Sequence, residues 1–112
     1  MRFILLAALL LAPTAFATPK VVIDQNFCET RALLSKMSME GRKRGESSEE
    51  AKRDIQRIVD GQPADSIVRA VAPLGLLDVD TVFLSSPATT PLQAYIRTHD
   101  SCRDQRGRYV SL

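Results

Sequence analysis

Four stretches of the chain space their apolar residues as helices do, and each is bounded by residues that start or stop a helix. The first runs from Asn26 to Arg44, where Cys28, Ala32, Ser35 and Met39 share one face and Phe27, Leu33, Leu34 and Met37 widen it. So apolar a helix must be largely covered by others. Asn26 is a candidate N-cap, Gly41 weakens the last turn and Gly45 terminates it. The second stretch opens on Ser47-Ser48-Glu49-Glu50, the pattern of a capping box, and buries the stripe Ala51, Ile55, Ile58, Val59. Lys52, Arg53, Asp54, Gln56 and Arg57 are then left for water, and Gly61 closes the helix.

Asp65 or Ser66 caps a third helix carrying Ile67, Val68, Ala70 and Val71, which Pro73 and Gly75 are expected to interrupt. Leu76 to Leu84 follows as the most hydrophobic stretch beyond the leader. Val79 to Leu84 has enough β-branched and aromatic content to be a strand. A lone strand has no evident partner, so a second buried helical piece is the preferred reading. The last helix opens on Thr90-Pro91-Leu92-Gln93, with a threonine cap, proline in the first turn and glutamine three residues after the cap. Leu92, Tyr95, Ile96, His99 and Cys102 are expected on its inner side. Arg103, Arg106 and Arg108 then form a basic tail that is expected to fray.

The fold class that follows is all-α, a small bundle of about four helices. With 112 residues the chain makes one domain, and an apolar fraction of 45% against 25% charged residues is ordinary for a globular protein. The N-terminus changes this picture. Arg2, the apolar run Phe3 to Ala12, Pro13 and the small-x-small triplet Ala15-Phe16-Ala17 make a signal peptide over residues 1–17, leaving 18–112 as a single helical domain. The run is too short to span about 30 Å of hydrocarbon, so no stable membrane insertion is expected after cleavage. The mature protein is expected in the periplasm or secreted.

An oxidising compartment gives the two cysteines their meaning, because a pair in an exported chain is better read as a bridge than as two core thiols. Cys28 and Cys102 both point toward the core, so the bond is expected to join the first helix to the last. In the simple loop-closure treatment it removes about 4 kcal/mol of entropy from the unfolded chain. No C-x-x-C pair is present to exchange thiols.

Candidate chemistry is sparse. His99 is the one histidine, and its neighbours Asp100 and Ser101 point away from it on a helix, so no triad forms. One histidine and scattered carboxylates do not converge as metal ligands do, and Asp78 and Asp80 lack the glycine and distal acid of a calcium loop. No glycine-rich phosphate cradle implies a nucleotide cofactor. A net charge of +2, one unit of it Arg2, exerts little pull on nucleic acid. The basic triplet Arg42, Lys43 and Arg44 has two readings: compensation of the first helix's C-terminal dipole on a solvated face, or a partner-binding patch.

The run from Cys28 to Glu50, with Arg42 three residues before Gly45 and Ser47 leading into Glu49-Glu50, resembles small exported proteobacterial proteins whose cysteine-bearing helix ends in an Arg-x-x-Gly-x-Ser turn. The run Val82-Phe83, Pro87, Thr90-Pro91, Ala94-Tyr95 to Cys102 is similar to the hydrophobic, proline-loop and final cysteine segments of the same group. Lys43 stands where an acidic residue is commoner. The resemblance covers most of the mature chain and implies a helical fold with one disulfide and no activity.

The functional expectation is therefore a non-enzymatic protein-binding module of the cell envelope, of accessory, inhibitor or immunity-like kind, whose partner is another envelope or secreted protein. A periplasmic acid or stress chaperone is the alternative. A small enzyme comes third.

Overall fold

The structure, a computed structural model, describes residues 20–111. The signal peptide expected over 1–17 and its cleavage site after Ala17 lie outside the described residues. Six elements follow in order: β1 (Lys20–Val22), α1 (Gln25–Lys43), α2 (Ser48–Asp60), α3 (Ile67–Leu84), α4 (Pro91–Arg103) and β2 (Tyr109–Ser111). The four-helix reading holds, and a disulfide joins α1 to α4 through Cys28 and Cys102, whose Cα atoms lie 5.5 Å apart.

Local chemistry sets most of the helix ends. Both expected capping boxes form: Ser47 with Glu50 before α2, and Thr90 with Gln93 before α4, where Pro91 occupies the first turn. Ser66, not Asp65, caps α3 by accepting from the Arg69 amide. The start of α1 differs from expectation. Asp24 is the cap, accepting from the Phe27 amide at 2.9 Å, so Asn26 lies inside the first turn. At the other end Gly45 takes φ +91, the Gly45 amide donates to Arg42 O and the Glu46 amide to Gly41 O, each at 3.0 Å. These two bonds around a left-handed glycine make a Schellman closure.

The third helix corrects the sequence reading most. It runs unbroken from Ile67 to Leu84 with Pro73 inside it. Proline costs a helix interior about 3 kcal/mol, yet here its ring is exposed, while Ala70, Val71, Ala72, Val79 and Val82 are buried. Gly75 is a packing contact instead of a breaker: a Cβ there would fall 2.6 Å from Leu34 Cδ1. The glycine lets α1 and α3 close on each other. Val79 to Leu84 is helix, and only part of the hydrophobic stretch is covered, since Leu77 and Leu84 are exposed.

The main core joins Phe27, Cys28 and Leu34 of α1, Ala51, Ile55 and Val59 of α2, and Ala70, Val71, Ala72 and Val79 of α3. Cys102 is the sole contribution of α4 to it. A smaller cluster, Met39, Val82 and Ala94, lies between α1, α3 and α4. Flanking the helices, β1 and β2 pair antiparallel with Val22 opposite Tyr109. The tail after α4 is thus held where fraying was expected, because Gly107 at φ +88 turns it back. There the Gly107 amide donates to Ile23 O at 2.9 Å and the Ile23 amide to Arg108 O at 2.8 Å.

Candidate functional site

The basic triplet closes α1, and its side chains reach across the fold. Arg42 Nη1 donates to Val82 O at 3.0 Å and Ser85 O at 2.9 Å, with its guanidinium 5.8 Å from the centre of the Phe83 ring. Those carbonyls belong to the C-terminus of α3, which has no basic residue in its own last turn. A cation borrowed from α1 therefore meets the negative end of α3. Lys43 Nζ donates to Pro87 O at 2.7 Å, and Arg44 Nη2 to Glu46 Oε2 at 2.8 Å. For Arg42 the dipole at work is that of α3, not of α1, while Lys43 reaches a loop carbonyl and Arg44 pairs with Glu46. The Arg-x-x-Gly-x-Ser turn acquires three roles: Arg42 caps α3, Gly45 ends α1 and Ser47 starts α2.

Beside this turn, Met37, Ser38, Glu46, Asp54 and Ile55 line a cavity of about 130 Å³ between α1 and α2, roomy enough for a few waters. Glu46 Oε1 is buried without a hydrogen-bond partner and lies against Gly41, whose added Cβ would stand 3.0 Å from it.

Two ion pairs link α3 to its neighbours, and both involve acids considered for calcium. Arg31 and Asp78 form a largely buried bidentate pair at 2.7 and 2.9 Å between α1 and α3. Lys52 of α2, expected in water, reaches Asp80 of α3 at 2.9 Å. The hydrogen bond that Lys52 donates to the Asp80 carboxylate raises the Lys52 pKa above its ordinary value. Glu50 moves the other way, its pKa lowered chiefly by the hydrogen bond from the Ser47 backbone amide in the capping box. Among the described residues, no group of three or more His, Cys, Asp or Glu is placed to hold a metal.

The fourth helix turns a different face inward from the one expected. Ala94 and Cys102 are buried and Thr98 is partly so, its hydroxyl donating to Ser35 Oγ at 2.7 Å. Leu92 and Ile96 point out, 61% and 46% exposed. The reason is the bridge, since Cα atoms 5.5 Å apart leave room beside them only for small side chains. Ala32 and Ser35 on α1 and Ala94 and Thr98 on α4 meet that condition. The i, i+4 series Ala94, Thr98, Cys102 was the signal in the sequence for this face. His99 sits on its edge, its ring stacked with Tyr95 at 6.0 Å between centroids. Asp100 faces Arg103 at 3.6 Å instead of the histidine, and Ser101 is exposed.

Leu33 and Met37 make a second outward apolar pair, on α1. Both pairs stand four residues apart, so each forms one continuous strip on its helix. Among the described residues no helix is long and apolar enough to cross a membrane. In comparisons with known proteins, no family model, curated protein or solved structure matches the chain.

Proposed function

We propose that this chain is an exported, non-enzymatic protein-binding module of the cell envelope, working in the periplasm or outside the cell. Its partner is another envelope or secreted protein, and its place is among the small exported helical proteins it resembles. The observation that carries this reading is the outward apolar strip of Leu92 and Ile96 on α4. Large aliphatic side chains held on the surface of a stapled helix offer a partner apolar area without the cost of ordering a loop. A disulfide between the two cysteines supports an oxidising compartment, as does the leader pattern. Arg42, Lys43 and Arg44 support partner binding less well, because each has an intramolecular acceptor.

The test is crosslinking of the oxidised mature protein in envelope extract, beside a Leu92→Asp/Ile96→Asp variant of unchanged thermal stability. One stoichiometric partner captured by the parent and lost in the variant is the expected result. Equal capture by both, or none by either, removes the reading. Sequence-independent protection of unfolded clients by both proteins would favour the chaperone alternative.

A further inference from the structure

We propose that the Cys28–Cys102 bond is a redox latch on α4: reduction releases that helix from a three-helix body that stays folded, uncovering the groove on α1 beneath it. The proposal is independent of what the exposed face of α4 binds.

Three observations carry it. First, α1, α2 and α3 share the main core, whose large members are Ile23 just before α1 and Phe27, Leu34, Ile55, Val71 and Val79 on those helices, with none from α4. α4 gives that core one sulfur and gives Ala94 to the small cluster with Met39 and Val82. Second, α4 makes its extensive contact with α1, and apart from Met39 the buried side chains that meet there are small. Burial of alanine, serine and threonine removes little apolar area from water, so the covalent bond supplies much of the hold. Third, the remaining fastenings are light. Among the described residues they include the Ser35–Thr98 and Lys43–Pro87 hydrogen bonds, the exposed Arg106–Gln25 hydrogen bond, the two backbone bonds of Ile23 with Gly107 and Arg108, and a ribbon of two three-residue strands, a form marginal on its own.

Both cysteines are fully buried, so a reductant has no path to the sulfurs while α4 is docked. Reduction therefore follows a local opening of α4, the kind of sub-global unit that can open while the rest of a domain holds. A dithiol is the reductant class. One of its thiolates attacks a sulfur of the opened bridge and gives a mixed disulfide, and its second thiolate resolves this. Cys28 and Cys102 end as thiols and the dithiol as a disulfide, a two-electron, two-proton exchange. The face then uncovered on α1 holds Cys28, Ala32, Ser35 and Met39.

Residue-resolved hydrogen exchange tests the latch on the oxidised protein, on the protein held in dithiothreitol, and on Cys28→Ser/Cys102→Ser. In both reduced states, amides of 91–103 are expected to lose protection by on the order of a hundredfold, the scale of removing a bridge that, with the three-helix body folded, closes a free loop of only about 18 residues from Ser85 to Cys102. Amides in the middle of α2 and α3 are expected to stay clearly better protected than those of α4. Loss of protection to one common level in all four helices, including outright unfolding of the variant, overturns the proposal, because the bond then holds the whole fold. Retained protection in α4 overturns it equally. As a second measurement, Ser35→Ala in the oxidised protein is expected to speed reduction by dithiothreitol several-fold through easier opening of α4. Reduction that proceeds only at the rate of global unfolding would sink the local route.

Discussion

The body formed by α1, α2 and α3 and the appended α4 are built by different means. In the body, large side chains interlock, as where Leu34 fills the space left by Gly75, and a bidentate ion pair ties α1 to α3 at Arg31 and Asp78. At α4 the buried contacting residues are small apart from Met39, the backbones come close, and a covalent bond fixes the approach. The contrast shows that a helix can be amphipathic and still turn its largest residues to solvent. Leu92 and Ile96 are outside because Cys102 and its small neighbours must be inside.

Four changes would break or sharpen this contrast. Asp78→Ala is expected to cost most, about 3–5 kcal/mol, because Arg31 is left charged and largely buried without its partner. Urea unfolding should show it as a lower midpoint at unchanged slope. Gly75→Ala should cost about 1–3 kcal/mol by overpacking, against a smaller gain in helix propensity. Combining it with Leu34→Val should recover part of that loss, and calorimetry of the single and double variants measures the coupling.

Ser35→Ala should cost about 1 kcal/mol, by removing the acceptor for the Thr98 hydroxyl. Unlike the two changes in the body, its effect should concentrate in the exchange of α4 amides. The smallest effect is a pH dependence. Lys52 has its pKa raised in the folded state by Asp80, so its contribution is full below the ordinary lysine value and is lost as pH rises through the folded one. Glu50 has its pKa lowered, so its contribution is present above the ordinary glutamate value and is lost as pH falls through the folded one. Thermal midpoints should therefore decline at both extremes of pH. Asp80→Asn should flatten the alkaline side.

The sequence by itself determined what lies within a few residues: the capping boxes at Ser47 and Thr90, the left-handed turn at Gly45, and four helices with a bridge between their only two cysteines. Such features rest on hydrogen bonds and backbone angles that neighbours along the chain supply. Only the tertiary structure decided how Arg42 caps a helix forty residues away, why Pro73 and Gly75 leave α3 whole, how the tail pairs with β1, and which side of α4 faces water. Each of these depends on what another element places opposite the residue. Periodicity along one helix reports that a face is apolar, and the geometry of its neighbours decides whether that face is the one covered.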